Sequence, residues 1–209
     1  MKLLVIGATR GIGAALAAHA VQEGHSITAL VRNPEKMGRG AQDMRIIKGD
    51  ILDKGSVSLA VAGQDAVCIT IGIGPAFKPV TVFSEGTSVV IDAMKRESVR
   101  KLICVTGIGA GGSKGHGGFL YDSIVFPIFL RRIYEDKNIQ ESIVRNSSLE
   151  WLIVRPGFLT NGPVTGRYRV LTDLTGIKCG NISRGDVAHF ILREMKNMNY
   201  AGQTPLLTY

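Results

Sequence analysis

Nine residues, Val5-Ile6-Gly7-Ala8-Thr9-Arg10-Gly11-Ile12-Gly13, constrain this chain more than any other stretch of it. The apolar run Leu3-Leu4-Val5-Ile6 reads as a buried strand. Ala14-Ala15-Leu16-Ala17-Ala18-His19-Ala20-Val21, just after the glycines, reads as a helix. A strand, a glycine turn and a helix in this order form a cradle for a dinucleotide. The glycines let the backbone turn tightly and approach a pyrophosphate, and the free N–H groups of the first helical turn meet its negative charge. A glycine triplet alone would also suit a strand–helix turn that binds nothing. Here the strand before it, the helix after it and a second strand at Ser26–Val31 supply the context that the motif requires.

The pattern continues along the chain. Further strands are predicted at Met44–Lys48, Ala66–Ile71, Lys101–Val105 and Trp151–Val154, with Thr204–Thr208 adding a seventh at the sheet edge. Helices are predicted at Ser56–Ala62, Ser84–Glu97, Tyr121–Asn146 and Gly185–Asn197, with Pro127 starting or kinking the third of these. Strands that are apolar without alternation are covered on both faces, so the expected class is α/β. The architecture is a single Rossmann domain over residues 1–209, with a doubly wound, mostly parallel sheet between two helical layers. That length supports one real core. Gly107–Gly118 is too long and glycine-rich for a plain connection and is read as a flap over a site, or else a loose surface loop.

Composition narrows the class. Nearly half the residues are apolar and the charged fraction is ordinary, which excludes disorder. No apolar run reaches the ~20 residues that span a bilayer. Met1-Lys2 leads straight into the first strand, unlike a signal peptide. Cys68, Cys104 and Cys179 lack metal-ligand spacing, and the first two fall in core strands as reduced thiols. A cytoplasmic location is expected. The net charge of +8 is spread without basic runs or aromatic interleaving, so no nucleic-acid or membrane partner is expected. Arg10, Arg32, Lys36 and Arg39 instead cluster near the glycine turn, which fits an anionic small-molecule partner. No metal set and no P-loop is visible, and His116 reads as a surface residue rather than a base.

The end of the second strand selects the nucleotide. An acid there would bond the ribose hydroxyls of NAD, but none stands between His25 and Asn33. Arg32 stands there instead, and Arg10 can approach from the glycine turn. A planar, permanently charged fork suits the 2′-phosphate of NADP(H). The remaining cofactor contacts are expected from Gly7, Thr9, Gly11, Ile12 and Gly13, and from Asp50-Ile51 at the third strand's end. Asp50 can accept from the adenine amino group; equally, Asp50 or Asp53 can cap the next turn. Thr70-Ile71-Gly72 closes the fourth strand beneath the middle of the cofactor. Pro156-Gly157 ends the sixth, where backbone would bond the nicotinamide amide.

These motifs, together with Val31-Arg32-Asn33-Pro34, Gly49-Asp50-Ile51-Leu52-Asp53, Trp151-Leu-Ile-Val-Arg155-Pro156-Gly157 and Ile182-Ser183-Arg184-Gly185-Asp186-Val187-Ala188, recur in one order. That order resembles atypical short-chain dehydrogenases/reductases, nearest to the compact subgroup of biliverdin-IXβ reductase, flavin reductase and NmrA-like proteins. The resemblance covers essentially the whole chain. It implies one NADP-binding Rossmann domain with a shallow, open substrate site. The glycine spacing departs from many atypical members, which place the second glycine where Arg10 stands.

The wider superfamily's catalytic pattern is a Ser or Thr after the fifth strand, and a Tyr followed four residues later by Lys. Such a lysine lowers the tyrosine pKa so that it can exchange a proton with the substrate oxygen. Thr106 matches the first element. Tyr134 is followed by Lys137 at three residues, close enough on a helix to interact. The expected catalytic set is therefore Thr106, Tyr134 and Lys137, with Thr106 and Lys137 also touching the cofactor; a tyrosine bonded only locally is the alternative. Arg155, Arg167 and Arg169 are read as attractors for an anionic acceptor, or Arg155 as half of a structural ion pair. Asp186 is read as a helix cap. The expected function is an NADPH-dependent reductase of a flavin, quinone or similar conjugated acceptor, which can take its proton from solvent. The alternative is a non-catalytic redox sensor of the NmrA type. A nucleotide-sugar epimerase or dehydratase is disfavoured because it needs a larger C-terminal lobe.

Overall fold

Consecutive residues of a strand face opposite sides of its sheet, and in the first strand both sides are apolar. Leu3 and Val5 enter one buried cluster, and Leu4 and Ile6 enter another. This strand must therefore lie inside a sheet covered on both faces. The computed structural model, which describes residues 1–38 and 40–209, places it there. Arg39 lies outside the described residues.

In chain order the elements are β1 (Lys2–Ile6), α1 (Gly11–Gln22), β2 (Ser26–Val31), β3 (Met44–Lys48), α2 (Lys54–Val61), β4 (Ala66–Ile69), α3 (Val82–Arg96) and β5 (Lys101–Val105). A π-helix (Tyr121–Leu130) then runs into α4 (Arg131–Arg145). It is followed by β6 (Glu150–Pro156), β7 (Phe158–Thr160), β8 (Arg169–Leu171), β9 (Asn181–Ser183), α5 (Arg184–Asn197) and β10 (Leu206–Thr208). The main sheet has the order β3-β2-β1-β4-β5-β6-β10-β8, and β7 pairs with β9 in a small second sheet. Every pairing is parallel except β10 with β8. This is the doubly wound Rossmann arrangement.

The chain leaves β1 through α1, which packs with α5 over one face. It leaves β4 through α3, which packs with α2 and α4 over the other. The strand order reverses between β1 and β4, and the carboxyl ends at such a switch point are where sheets of this kind bind ligands. Within the second layer, Asp136 of α4 caps α3 from a distance. Its carboxylate accepts from the Phe83 amide at 2.8 Å and from the Ser84 hydroxyl.

Three expectations are corrected here. Thr204–Thr208 does not form the edge, because β8 pairs antiparallel outside β10. The helix expected over Tyr121–Asn146 is two helices of different pitch. Pro127 sits inside the wide-turn segment, and a proline both lacks the N–H of an α-helical bond and crowds the carbonyl one turn back. Asp186 is also not the cap of α5. The Ser183 hydroxyl accepts from the Asp186 amide at 2.9 Å, and the Asp186 carboxylate is used elsewhere.

Candidate functional site

The turn after β1 is built around its glycines. Gly7 (φ +96°) and Gly11 (φ +66°) occupy the left-handed region that side-chain-bearing residues avoid. Gly13 is required for another reason: a Cβ there would collide with the Gly7 carbonyl and the Thr70 hydroxyl. The N-terminus of α1 therefore sits directly against the strand ends. Thr70 fixes the turn from β4, its hydroxyl donating to the Ile6 carbonyl at 2.9 Å. Arg10 caps α1 with no side-chain bond, and the first turn carries no acid. The N–H groups of Gly11, Ile12 and Gly13 donate to nothing among the described residues. These orphan donors at a helix N-terminus fit a diphosphate.

Arg10 and Arg32 are both exposed, and neither is ion-paired among the described residues. Lys36 and Gly72 are exposed as well, and Thr9 is half-buried. Asp50 is tied down, since its Oδ1 accepts from the Leu52 amide at 3.0 Å, and Asp53 caps α2 through Gly55 and Ser56. Both therefore cap turns, and the second carboxylate oxygen of Asp50 carries no hydrogen bond among the described residues. Ile51 is buried in the core and can offer a ligand only backbone. At Pro156-Gly157, where backbone was expected to bond the nicotinamide amide, two backbone groups have partners within the protein. The Pro156 carbonyl accepts from Ile108 at 3.1 Å, and the Gly157 N–H donates to Leu207 at 2.9 Å. The Gly157 N–H is thus taken, whereas the Pro156 carbonyl keeps a second lone pair.

The catalytic set comes apart. The Lys137 side chain is buried, with its ammonium donating to the Thr106 carbonyl at 2.8 Å and the Val105 carbonyl at 3.5 Å. It also lies 4.7 Å from the centre of the Phe83 ring. It makes no hydrogen bond to Tyr134 among the described residues, so it is a strap between α4 and β5 rather than half of a dyad. Burial drives its pKa down to about 8, against the pull of Cys104, Glu141 and Asp136. The Thr106 hydroxyl donates to Glu141 at 2.9 Å inside the protein. Burial pushes the Tyr134 phenol well above its ordinary value, and nearby Tyr121 adds to the shift. An activated phenol requires the opposite shift. Tyr134 instead packs on Phe126, with ring centres 5.1 Å apart.

Arg155 is likewise not an acceptor ligand. It is buried and forms a two-pronged pair with Glu141, at 3.0 Å and 2.5 Å. The flap expected at Gly107–Gly118 is anchored in its first half. Ile108, Ala110 and Ser113 are buried, and the Gly111 amide donates to Asn138 at 2.8 Å. His116 is held by the Ile177 carbonyl at 2.8 Å. Arg169 is spent on the Tyr209 carbonyl at 2.7 Å, whereas Arg167 is exposed.

Sequence reasoning missed an apolar pocket of about 430 Å³ formed by Gly117–Tyr121, Val125 and Phe158. Tyr121 lines it, with its hydroxyl donating to the Ile108 carbonyl at 3.1 Å and its ring edge-on to Phe158 at 5.1 Å. Phe119 is 85% exposed, an unusual position for such a side chain. The signal was present in Phe119-Leu120-Tyr121 and Ile124-Val125-Phe126, a run too apolar for a helix with one solvent face.

A family model described as NAD(P)H-binding matches residues 7–198, the span from the first glycine to the end of α5. The chain belongs to this NAD(P)H-binding family. The Bacillus subtilis protein YhfK, described as an uncharacterized sugar epimerase, is 30% identical over 207 residues, covering 95% of this chain and 90% of the relative. Among solved structures, ChuY, an anaerobilin reductase from Escherichia coli O157:H7, superposes with a TM-score of 0.82 at 24% identity, covering 100% of this chain and 97% of that one. A short-chain dehydrogenase/reductase from Veillonella parvula in complex with NADP gives a TM-score of 0.82 at 17% identity, covering 100% and 94%. This NAD(P)H-binding protein thus shares its fold with reductases. No helix among the described residues is long and apolar enough to cross a membrane.

Proposed function

We propose that this protein is an NADPH-dependent reductase that passes hydride to a flat conjugated acceptor, such as a flavin or a quinone. The observation that carries the reading is the apolar pocket lined by Phe119, Leu120, Tyr121, Val125 and Phe158, next to the carboxyl end of β6. A conjugated ring packs well against aromatic and aliphatic walls. The cofactor, when bound, supplies the hydride. The backbone of Gly7 and of Gly11–Gly13 would hold its diphosphate, with Thr9, Thr70, Ile71 and Gly72 beside it and Arg10 and Arg32 pairing the 2′-phosphate.

The protein's own work is to hold two rings together and keep water from between them. Solvent can supply the proton to a conjugated acceptor. That fits a site in which Lys137 is tied to carbonyls and Tyr134 has a raised pKa. The same geometry argues against a sugar epimerase, which must move a proton at a carbinol with a positioned base. The segment between β6 and α5, moreover, carries only three short strands rather than a substrate lobe.

The test is to mix the protein with NADPH and a panel of flavins, quinones, carbonyl compounds and nucleotide sugars while following nicotinamide absorbance. Oxidation with the conjugated acceptors alone is expected. Turnover confined to carbonyls or sugars would overturn the reading. With a flavin, Tyr134→Phe is expected to keep kcat within about tenfold, because a true general acid contributes roughly 10²–10⁴-fold. NADPH is expected to bind at least ~10-fold more tightly than NADH, since one charge-assisted phosphate bond contributes about 1.5–3 kcal/mol. Arg32→Ala should remove most of that preference, as read by calorimetry on both nucleotides.

A further inference from the structure

A second cleft, of about 380 Å³, opens between α1 and α5. Its walls are Gly11, Ala15 and His19 of α1, the turn 161–164, and Arg184 and Gly185 at the start of α5. No acidic side chain lines it. Arg184 is the charged group that faces α1. Its Nη1 donates to the Asn161 amide oxygen at 2.7 Å, and its Nε lies 4.0 Å from where a Cβ on Gly11 would stand. No carboxylate pairs with it among the described residues.

This placement is electrostatically unfavourable as it stands. Arg184 opens α5, and a cation at a helix N-terminus opposes the helix dipole. The nearest candidate partner, Asp186, is consumed elsewhere. Its carboxylate accepts from the amides of Thr165 and Gly166 and from the Thr165 hydroxyl, each at 2.8 Å, and from the Tyr209 hydroxyl at 2.7 Å. Ser183 adds a bond to the Pro163 carbonyl at 3.0 Å. The turn beside Arg184 is thereby stapled to α5, and Asn161 in that turn steers the guanidinium toward the glycine cradle. The protein holds a cation, unpaired among the described residues, against a helix start whose first three amides have no partner there.

We propose that Arg184 is a diphosphate-binding residue, closing on the dinucleotide from the α5 side opposite the amides of Gly11–Gly13. This rests on the nucleotide-binding reading above and adds a residue to it. The ligand chemistry is a diphosphate ester. The contact is blind to the 2′-phosphate, so Arg184 serves NADH and NADPH alike, whereas Arg32 separates them.

Calorimetry with NADPH, NADH and inorganic pyrophosphate tests this on the wild type, Arg184→Gln, Arg184→Lys and Arg32→Ala. Glutamine can still donate to Asn161, so Arg184→Gln removes the charge and keeps the local bond. A charge-assisted bond contributes about 1.5–3 kcal/mol, so Arg184→Gln should weaken NADPH and NADH equally, by roughly 10–150-fold. Pyrophosphate binding should weaken in parallel, Arg184→Lys should restore part of the affinity, and the nucleotide-free unfolding midpoint should not fall. Arg32→Ala should affect NADPH alone. Unchanged affinity for both nucleotides in Arg184→Gln overturns this inference and leaves the nucleotide reading standing. A selective loss for NADPH overturns it as well, by moving Arg184 to the 2′-phosphate. A wild type that binds neither nucleotide removes the nucleotide reading and this inference together.

Discussion

Arg155→Ala is expected to destabilise the fold by about 3–5 kcal/mol, the usual consequence of stranding one partner of a buried ion pair. Arg155 and Glu141 are each only 4% exposed at the side chain, and two parallel bonds join them. Glu141 also accepts from Thr106 at 2.9 Å and from Arg145 at 3.3 Å. Burial pulls the Glu141 carboxyl upward, but Arg155 and these donors outweigh it and hold the group below its ordinary value. Removing Arg155 leaves that carboxylate in a dry site with one short neutral donor and one half-exposed arginine. It either stays charged without its partner or takes up a proton, and both routes lower stability. Replacing the pair with apolar residues, Arg155→Met with Glu141→Leu, should recover most of the loss, because neither buried charge of the pair then remains. Urea unfolding of the wild type, both single variants and the double variant gives the coupling directly. A loss below about 1 kcal/mol for Arg155→Ala would mean that water reaches Glu141 and that the pair is not a structural clamp.

This pair shows which parts of the molecule could be read from the chain and which could not. The cradle was legible because it is local: β1, the glycine turn and α1 follow one another, and each carries its own periodicity or turn chemistry. The alternating strands and helices gave the doubly wound sheet for the same reason. Three-residue strands such as β7, β8 and β9 are too short to show a period, so the antiparallel partner outside β10 left no trace. Arg155 was visible as a charge ending an apolar strand, which suited either an anionic acceptor or a structural ion pair. Which partner it takes depends on α4 packing across β5 and β6, and chain spacing does not carry that information. The same packing decides Lys137. Spacing on a helix places it beside Tyr134, but the tertiary contact with β5 turns its ammonium toward the carbonyls of Val105 and Thr106. The cofactor side of the site is thus written in contiguous residues. The apolar pocket proposed for the acceptor is assembled from Gly117–Tyr121, Val125 and Phe158, segments that meet only once the sheet is complete.

Lys137 yields the second large effect, and its sign follows from linkage. Its pKa is ordinarily 10.5, the value expected in the unfolded chain, and burial lowers it to about 8 in the folded protein. Below pH 8 both states hold the proton, and the fold carries the full penalty of a buried ammonium. Between pH 8 and 10.5 the unfolded chain binds more protons than the native one, so this residue's contribution to stability rises with pH and then levels off. The whole interval is worth about 3 kcal/mol. Other groups act in the opposite direction: burial raises Tyr134, Cys68 and Cys104, and each weakens the fold as the unfolded chain loses those protons. The comparison must therefore be a difference, the wild type minus Lys137→Met, since those groups are common to both. That difference should move in favour of the wild type by about 2 kcal/mol between pH 8 and pH 10 in urea unfolding. Nucleotide affinity should be retained in Lys137→Met, because the ammonium faces Thr106 and Phe83 inside the core. A flat difference across that pH range, joined to a hundred-fold loss of NADPH affinity, would return Lys137 to the nicotinamide ribose and restore the dyad that its spacing first implied.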